Sequence, residues 1–328
     1  MKRTALVTGG AGFIGSHLVE LLLKKKLKVL VIDNLSNSNL SNIKKLIKKK
    51  KITFIKKNIL DKDIDLSKFK IDYVFHLAAI GSIIPSIDDP KKYITNNFNG
   101  TLNLLDKIKK QKIKKFVYAA SSSCYGLAKY PTSENNPIDN QSPYAFSKWS
   151  AEELIKHWSR IYKMPYVSIR IFNAYGPRFK TTGAYGSVIG VFLKQKLENK
   201  PLTIVGDGSQ GRDYIHVLDV ANAFYLAAKS KYKNEVFNLG YGKIISIGKI
   251  VDLLRPTKTI NIPYRPGEPY RSKANISKIK KKIGWKPSIS FEKGFAELLL
   301  NIKYWKNAPL WNKSSINKVT KNWFKYLK

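Results

Sequence analysis

Residues 4–23, TALVTGGAGFIGSHLVELLL, restrict this chain more than any other stretch. Ala5, Leu6 and Val7 make a short apolar run of the kind that suits a fully buried strand, and Ile14, Leu18, Leu21 and Leu22 then recur at helical spacing. Gly9, Gly10, Gly12 and Gly15 therefore fall at a strand-to-helix turn, the context in which a G-x-G-x-x-G pattern carries meaning. Glycines there permit a tight turn, let a pyrophosphate approach the backbone, and let the helix pack close to the strand; the helix N-terminus offers the phosphates free N–H groups and a partial positive charge. The next apolar run, 29–32, ends at Asp33, 18 residues beyond Gly15. A carboxylate at that place binds the ribose hydroxyls of NAD and repels the additional phosphate of NADP.

The length of 328 residues allows two domains or one large α/β unit, and a hydrophobic fraction of 43% is enough for a sizeable core. The N-terminus runs straight into the first strand, no apolar run reaches spanning length, and a single cysteine, Cys124, fits a reducing cytoplasm. The formal charge of +38 invites a nucleic-acid reading. The lysines, however, are dispersed in runs such as 24–26, 48–51 and 280–282, near predicted helix ends and loops. They read as a solvated surface that binds polyanions weakly and attracts an anionic nucleotide, with neither a membrane nor a specific nucleic acid as partner.

Further strands are expected at 52–57, 73–77, 115–120 and 166–172, with helices between them, including a long one over 90–112 and another from 143 to about 162. Such alternation argues an α/β fold, a doubly wound Rossmann-type parallel sheet. Residues 1–172 form the dinucleotide domain on this reading, and 213–245 return to it through a strand at 236–239. Residues 173–212 and 246–310, rich in glycines such as Gly183 and Gly186, form a smaller, loop-rich substrate domain. Residues 311–328 read as a basic tail without clear periodicity.

The chemistry concentrates after the fifth strand. Ser142-Pro143 is a strong helix start, and Tyr144 and Lys148 open that helix at i, i+4, on one face. A phenol titrates near 10; a lysine ammonium and a nicotinamide cation beside it would lower that value, making Tyr144 a general base for a substrate hydroxyl. Ser121, closing the preceding strand, is placed to hydrogen-bond the same oxygen at the sheet's carboxyl edge.

With these motifs assembled, the chain resembles the extended short-chain dehydrogenases/reductases, in their NAD-dependent UDP-sugar 4-epimerase branch. The resemblance rests on TGGAGFIG at 8–15, Asp33-Asn34, HLAA at 76–79, the serine run from Ser121, Tyr144 with Lys148, RIFN at 170–173, RDYIH at 212–216 and the late RPGE at 265–268. It implies that Gly9, Gly12, Phe13, Ile14, Gly15, Asp33, Asn34, Asn58, Ile59, Leu77, Ala78, Ala79, Asn96 and Phe172 hold NAD, with Tyr144 and Lys148 beside them. It implies that Asn173, Arg212, Tyr214, Arg265 and Glu268 hold the UDP part of the substrate, that Ser187 and Val188 lie near uracil, and that Thr203 and Val205 line the same pocket. Two guanidinium forks facing a diphosphate make physical sense. Ser82 and Ser123 join Ser121 at the sugar.

Two departures accompany the match. Asn58 stands where the family usually has Asp, and its amide oxygen can still accept from the adenine amine. Pro266-Gly267-Glu268 stands where Glu then Gly-Asp is usual. The serine run also excludes reactions. Related dehydratases place Asp-Glu after the catalytic hydroxyl residue and related decarboxylases keep Glu, whereas Ser122 and Ser123 do not titrate usefully. The resemblance thus implies simple 4-epimerisation through a transient 4-keto sugar, with no metal and a homodimer formed through helices near 96–112 and 143–162. A residue seven places after the late arginine gates the sugar pocket in this family. That count lands on Ser272, and a serine there leaves room for an N-acetyl group, as in UDP-GlcNAc/UDP-GalNAc or its uronic acid form; UDP-glucose/UDP-galactose is the alternative.

Overall fold

The computed structural model describes residues 2–179, 181, 187–256, 258–265 and 267–327. Gly183, Gly186 and Pro266 lie outside the described residues. The strands are β1 (Thr4–Thr8), β2 (Lys28–Ile32), β3 (Thr53–Ile55), β4 (Tyr73–His76), β5 (Lys115–Ser121), β6 (Tyr166–Ile171), β7 (Asn173–Tyr175), β8 (Leu202–Val205), β9 (Gly211–Arg212), β10 (Tyr214–His216), β11 (Glu235–Leu239), β12 (Ile245–Ser246) and β13 (Thr259–Ile262). Seven of them form one sheet, in the order β11-β6-β5-β4-β1-β2-β3, with every pairing parallel. The run at 236–239 thus joins the sheet as its edge strand beside β6.

Both faces of the sheet are covered, which is why its strands read as continuous apolar runs. Within β1, Ala5 and Val7 point into one core cluster and Leu6 into another. The helices are α1 (Phe13–Lys24), α2 (Ser41–Lys48), α3 (Ile84–Asp88), α4 (Pro90–Ile94), α5 (Gly100–Ile108), α6 (Pro143–Tyr162), α7 (Val188–Leu197), α8 (Val217–Lys229), α9 (Ile247–Leu254), α10 (Ser277–Ile283), α11 (Phe291–Leu300) and α12 (Lys313–Tyr326). On one face α1 packs on α8, and on the other α5 packs on α6. The long helix expected over 90–112 runs over 90–108 and contains a π-helical turn, Thr95–Asn99, between α4 and α5.

The chain builds outward from β1 in both directions, so β1 and β4 flank the topological switch point, where open parallel sheets bind ligands at the carboxyl edge. Over that edge sits a second body with its own core, containing Ile189, Phe192, Leu202, Ile250, Phe291 and Phe295. The supposed tail belongs to this core. Residues 313–326 are helix α12, opened by a capping box between Asn312 and Ser315. Ile316, Thr320 and Trp323 are buried along one side of it. The i, i+4, i+7 signal was present but diluted by the lysines between those positions.

Candidate active site

A single cavity of about 620 Å³ runs from the end of β1 across the sheet edge to the second body. At its dinucleotide end the glycines do what their spacing predicts. Gly9 has φ +70°, and a Cβ there would lie 2.8 Å from the Ala78 nitrogen; a Cβ on Gly15 would overlap the Gly9 carbonyl oxygen. Gly12 is the N-cap of α1, and no side chain caps that helix end, so its first N–H groups face the cavity floor. Asp33 is buried, and its carboxylate accepts from Ala11 N–H at 2.9 Å, Leu35 N–H at 2.8 Å and Ser38 Oγ at 2.7 Å. Of roughly four acceptor sites on a carboxylate, three are thereby used and one is left for a ribose hydroxyl. Phe13, Ile14, Asn34, Asn58, Ile59, Leu77, Ala78, Ala79, Asn96 and Phe172 line the same cavity. The Asn58 side-chain oxygen already accepts from Leu60 N–H at 3.0 Å, which leaves it one lone pair. This cradle fits an adenine dinucleotide.

At the centre, Ser142 caps α6 by accepting from Ala145 N–H at 3.2 Å, and Pro143 occupies the first turn. Tyr144 and Lys148 project from that helix into the cavity, and the side chain of Ser121 at the end of β5 hydrogen-bonds the Tyr144 hydroxyl. Ser121 Oγ also accepts from Ser123 N–H at 3.2 Å. Lys148 is buried, with its ammonium 4.3 Å from the ring centre of Tyr118. Burial pulls its pKa down to about 7, against the opposing pull of Glu152. The Tyr144 phenol differs from expectation: burial raises it, and the bond from Ser121 only partly offsets this. The expected depression by Lys148 is not among the influences on this phenol in the protein alone, where burial outweighs the rest.

Side chains to which the sequence reading gave no role, Asn97, Tyr93 and Glu152 among them, hold this centre together with Arg170 and His76 of the named motifs. The Asn97 carboxamide accepts from Ile80 N–H at 2.8 Å and donates to Ile80 O at 3.1 Å and to Ser147 Oγ at 2.9 Å. It joins the loop after β4 to α6 between Tyr144 and Lys148, and it sits on the π turn, a distortion that recurs at functional sites. Tyr93 meets Tyr144 edge-on at 6.4 Å and hydrogen-bonds Ser82; burial raises its hydroxyl to about 12. Beneath Lys148, the Glu152 carboxylate accepts two bonds from Arg170, at 3.1 and 2.6 Å, and Arg170 donates to Tyr125 at 2.8 Å. His76 is fixed between Thr8 and Thr101, and burial lowers it to about 3, so it is neutral and structural.

At the far end, Arg212 and Arg265 each pair with Glu268 at 3.0 Å. Asp213, buried between Arg212 and Tyr214, accepts from Tyr241 N–H at 2.6 Å and Ala274 N–H at 2.9 Å, which locks the Arg212 strand to two loops; burial raises its carboxyl to about 6. Ser82, Ser121, Ser123, Asn173, Ser187, Val188, Val205, Tyr214 and Glu268 all line the cavity.

Two expected residues do not. Thr203 shares a strand face with Val205 but lies one pleat deeper, under α7, where it bonds the Gln195 side chain at 2.9 Å. Ser272 lies on an extended strap tied by its N–H to Gly211 O at 3.1 Å, and it is not on the cavity wall. The seven-residue count crosses Pro266 and takes no account of how this strap pairs with Gly211. Gln210, Phe179 and Trp323 line the cavity without having been expected. Only Trp323 had a readable signal, the helical spacing of α12.

The sequence model of the family described as GDP-mannose 4,6 dehydratase matches residues 6–298. A UDP-glucose 4-epimerase of Mycolicibacterium smegmatis is 34% identical over 301 residues, covering 89% of this chain and 96% of that protein. The solved UDP-N-acetylglucosamine 4-epimerase of Methanobrevibacter ruminantium, in complex with UDP-N-acetylmuramic acid, is similar at 36% identity and TM-score 0.86, covering 93% of this chain and 99% of the other. The UDP-glucuronic acid 4-epimerase of Bacillus cereus, solved with UDP-glucuronic acid and NAD, is 35% identical with TM-score 0.85, over 92% and 99% of the two chains.

Proposed function

This chain belongs to the GDP-mannose 4,6-dehydratase family of extended short-chain dehydrogenases/reductases, and from that premise we propose that it interconverts UDP-GlcNAc and UDP-GalNAc, or their uronic acid forms. The coarser activity is that of an NAD-dependent UDP-sugar 4-epimerase, an isomerase. The observation that carries the reading is the convergence of Ser121, Tyr144 and Lys148 in one cavity with Arg212 and Arg265. Ser122 and Ser123 stand in that cavity where a dehydratase needs a second acid and base.

NAD, when bound, supplies the hydride acceptor for C4 and the donor that returns it. The protein's part is position and proton transfer. Ser121 holds the 4-hydroxyl oxygen, Tyr144 takes and returns its proton, and Lys148 supplies positive charge beside the phenolate. Asp33 favours NAD over NADP, because a 2′-phosphate would meet a buried carboxylate. Arg212 and Arg265 anchor the diphosphate while the 4-keto sugar turns about it. The N-acetyl preference is supported by the small residues Gly81, Ser82, Ser122 and Ser123 on the wall, which leave space for an acetamido group. An open pocket excludes little, so some UDP-glucose turnover accompanies it. We also infer a homodimer, supported by the exposed apolar side chains Leu102 on α5 and Phe146, Ile161 and Tyr162 on α6.

The test is kcat/KM of the NAD-loaded protein on UDP-GlcNAc, UDP-GlcNAc uronate, UDP-glucose and UDP-glucuronate. A higher value for the N-acetylated sugars is expected, and a higher value for UDP-glucose would reverse the assignment.

A further inference from the structure

Helix α12 lies beyond residue 298, where the family match ends, yet it places the side chain of Trp323 on the wall of the cavity. We propose that Trp323 is a substrate-positioning residue that forms the wall against which the hexose of the UDP-sugar lies. This rests on the epimerase reading given above.

The helix is built into the protein firmly enough to hold such a wall. Gln195 of α7 donates to Trp311 O at 2.8 Å, ahead of the capping box. Asn322 donates to Asp88 of α3 at 2.8 Å, and α12 packs along α3. Leu327, just past the helix, approaches Gly267 at the distance of ordinary van der Waals contact from a Cβ placed there.

These anchors bracket Trp323 between two parts of the site. On one side, α3 begins at Ile84, directly after the loop carrying Ser82; Ser82 bonds Tyr93, whose ring meets Tyr144. That side leads to the reacting carbon. On the other side, Gly267 neighbours Glu268, which pairs with both Arg212 and Arg265. That side leads to the diphosphate. What spans the interval between a reacting C4 and a diphosphate is the hexose ring itself.

The chemistry of an indole suits that place. A 4-epimerase presents both faces of the sugar in turn, so a wall made of directional hydrogen bonds would favour one face and retard the other. A large apolar surface contacts the C–H bonds of either face with little directional preference. Trp323 is 5% exposed overall, so the part of the indole that meets the cavity is presented by a side chain otherwise fixed in the core.

The experiment compares Trp323→Ala, Trp323→Phe and Ile316→Ala in the full-length, NAD-loaded protein. Ile316 is buried on the same side of α12 but does not line the cavity. Trp323→Ala is expected to raise KM for UDP-sugars about tenfold with kcat changed less than about twofold, while Trp323→Phe stays within about threefold of wild type. Calorimetric affinity for UDP alone and the NAD content should be unchanged in all three. An unchanged KM in Trp323→Ala overturns the inference. So does a parallel loss of UDP affinity, which would put the contact at the nucleotide, and so does an equal KM rise in Ile316→Ala, which would make the effect a loosening of α12. If the wild type turns over no UDP-sugar, the epimerase reading fails first and takes this inference with it, whereas a wild type that works and a Trp323→Ala that matches it removes the inference alone.

Discussion

The two ends of the cavity are built by different means. The dinucleotide end is made largely of backbone: Gly9, Gly12 and Gly15 bring β1, α1 and the start of the loop after β4 so close that side chains have little room. The nucleotide-sugar end is made of side chains delivered by separate segments, with Arg212 on β9, Arg265 and Glu268 on a late loop, and Trp323 on the last long helix. The centre of the first is local in sequence, since a strand, a turn and a helix within 25 residues carry its glycines, and only its outer walls come from later strand ends. The second is assembled only by tertiary packing. Backbone geometry also fixes one ligand class through a general interaction, while side chains converging from distant segments can be exchanged one at a time. A family can therefore share a cofactor and diverge in its sugar.

The largest expected effect falls at the seam between the two ends. Tyr144→Phe removes the proton acceptor while keeping the ring that packs on Tyr93, so kcat should fall about 10²- to 10⁴-fold, with UDP affinity and NAD content unchanged. Single-turnover reduction of the bound cofactor by a UDP-sugar reads the step directly. Turnover close to wild type would move the base elsewhere and detach the seam from both ends.

At the dinucleotide end, Gly15→Ala tests whether the backbone is the cradle. The added methyl would overlap the Gly9 carbonyl oxygen, and overpacking of this kind costs about 1–3 kcal/mol. Because the displaced groups are those that face the pyrophosphate, NAD should be lost on gel filtration while affinity for UDP is kept. Loss of both together would mean that the two ends are not separable.

A third effect comes from Lys148. Its folded value of about 7 lies below the ordinary 10.5 that holds in the unfolded chain. Between these values the unfolded chain binds a proton that the folded protein has given up, so stability gains as pH rises through that window. The slope from this one group is at most about 1.4 kcal/mol per pH unit. Lys148→Met should therefore be relatively most favourable at and below pH 7 and lose part of that advantage by pH 9, with the rest going as pH approaches 10.5, as read from urea unfolding of both proteins. A difference independent of pH would mean that the ammonium stays charged in its pocket.

The same contrast governs what the sequence disclosed. The seven parallel strands, the Asp33 site and the Ser121, Tyr144 and Lys148 centre were legible, because each is a short pattern with a local cause. Thr203 was misplaced because strand periodicity gives the face but not the depth, and α7 covers that pleat. Asn97 was invisible because its role depends on a π turn that no residue type announces. Trp323 was overlooked for a different reason: its helix is regular, but Lys318, Lys321 and Lys325 blurred the apolar stripe formed by Ile316, Thr320 and Trp323.

The smallest effect is expected at Ser272. By sequence count it stands at the position that would gate the sugar, and by structure it lies on a strap whose backbone pairs with Gly211, away from the cavity wall. A tyrosine introduced there has partly open surroundings, since Ser272 is itself half-buried, and no path into the sugar site that does not displace the strap. Ser272→Tyr should leave the ratio of kcat/KM for UDP-GlcNAc over UDP-glucose within about twofold of wild type, in contrast to the shifts of tenfold or more that a methylene-scale change within a pocket can produce. A larger fall in UDP-GlcNAc turnover would show that the strap closes over the sugar during catalysis, and the nucleotide-sugar end would then include a moving part that the dinucleotide end lacks.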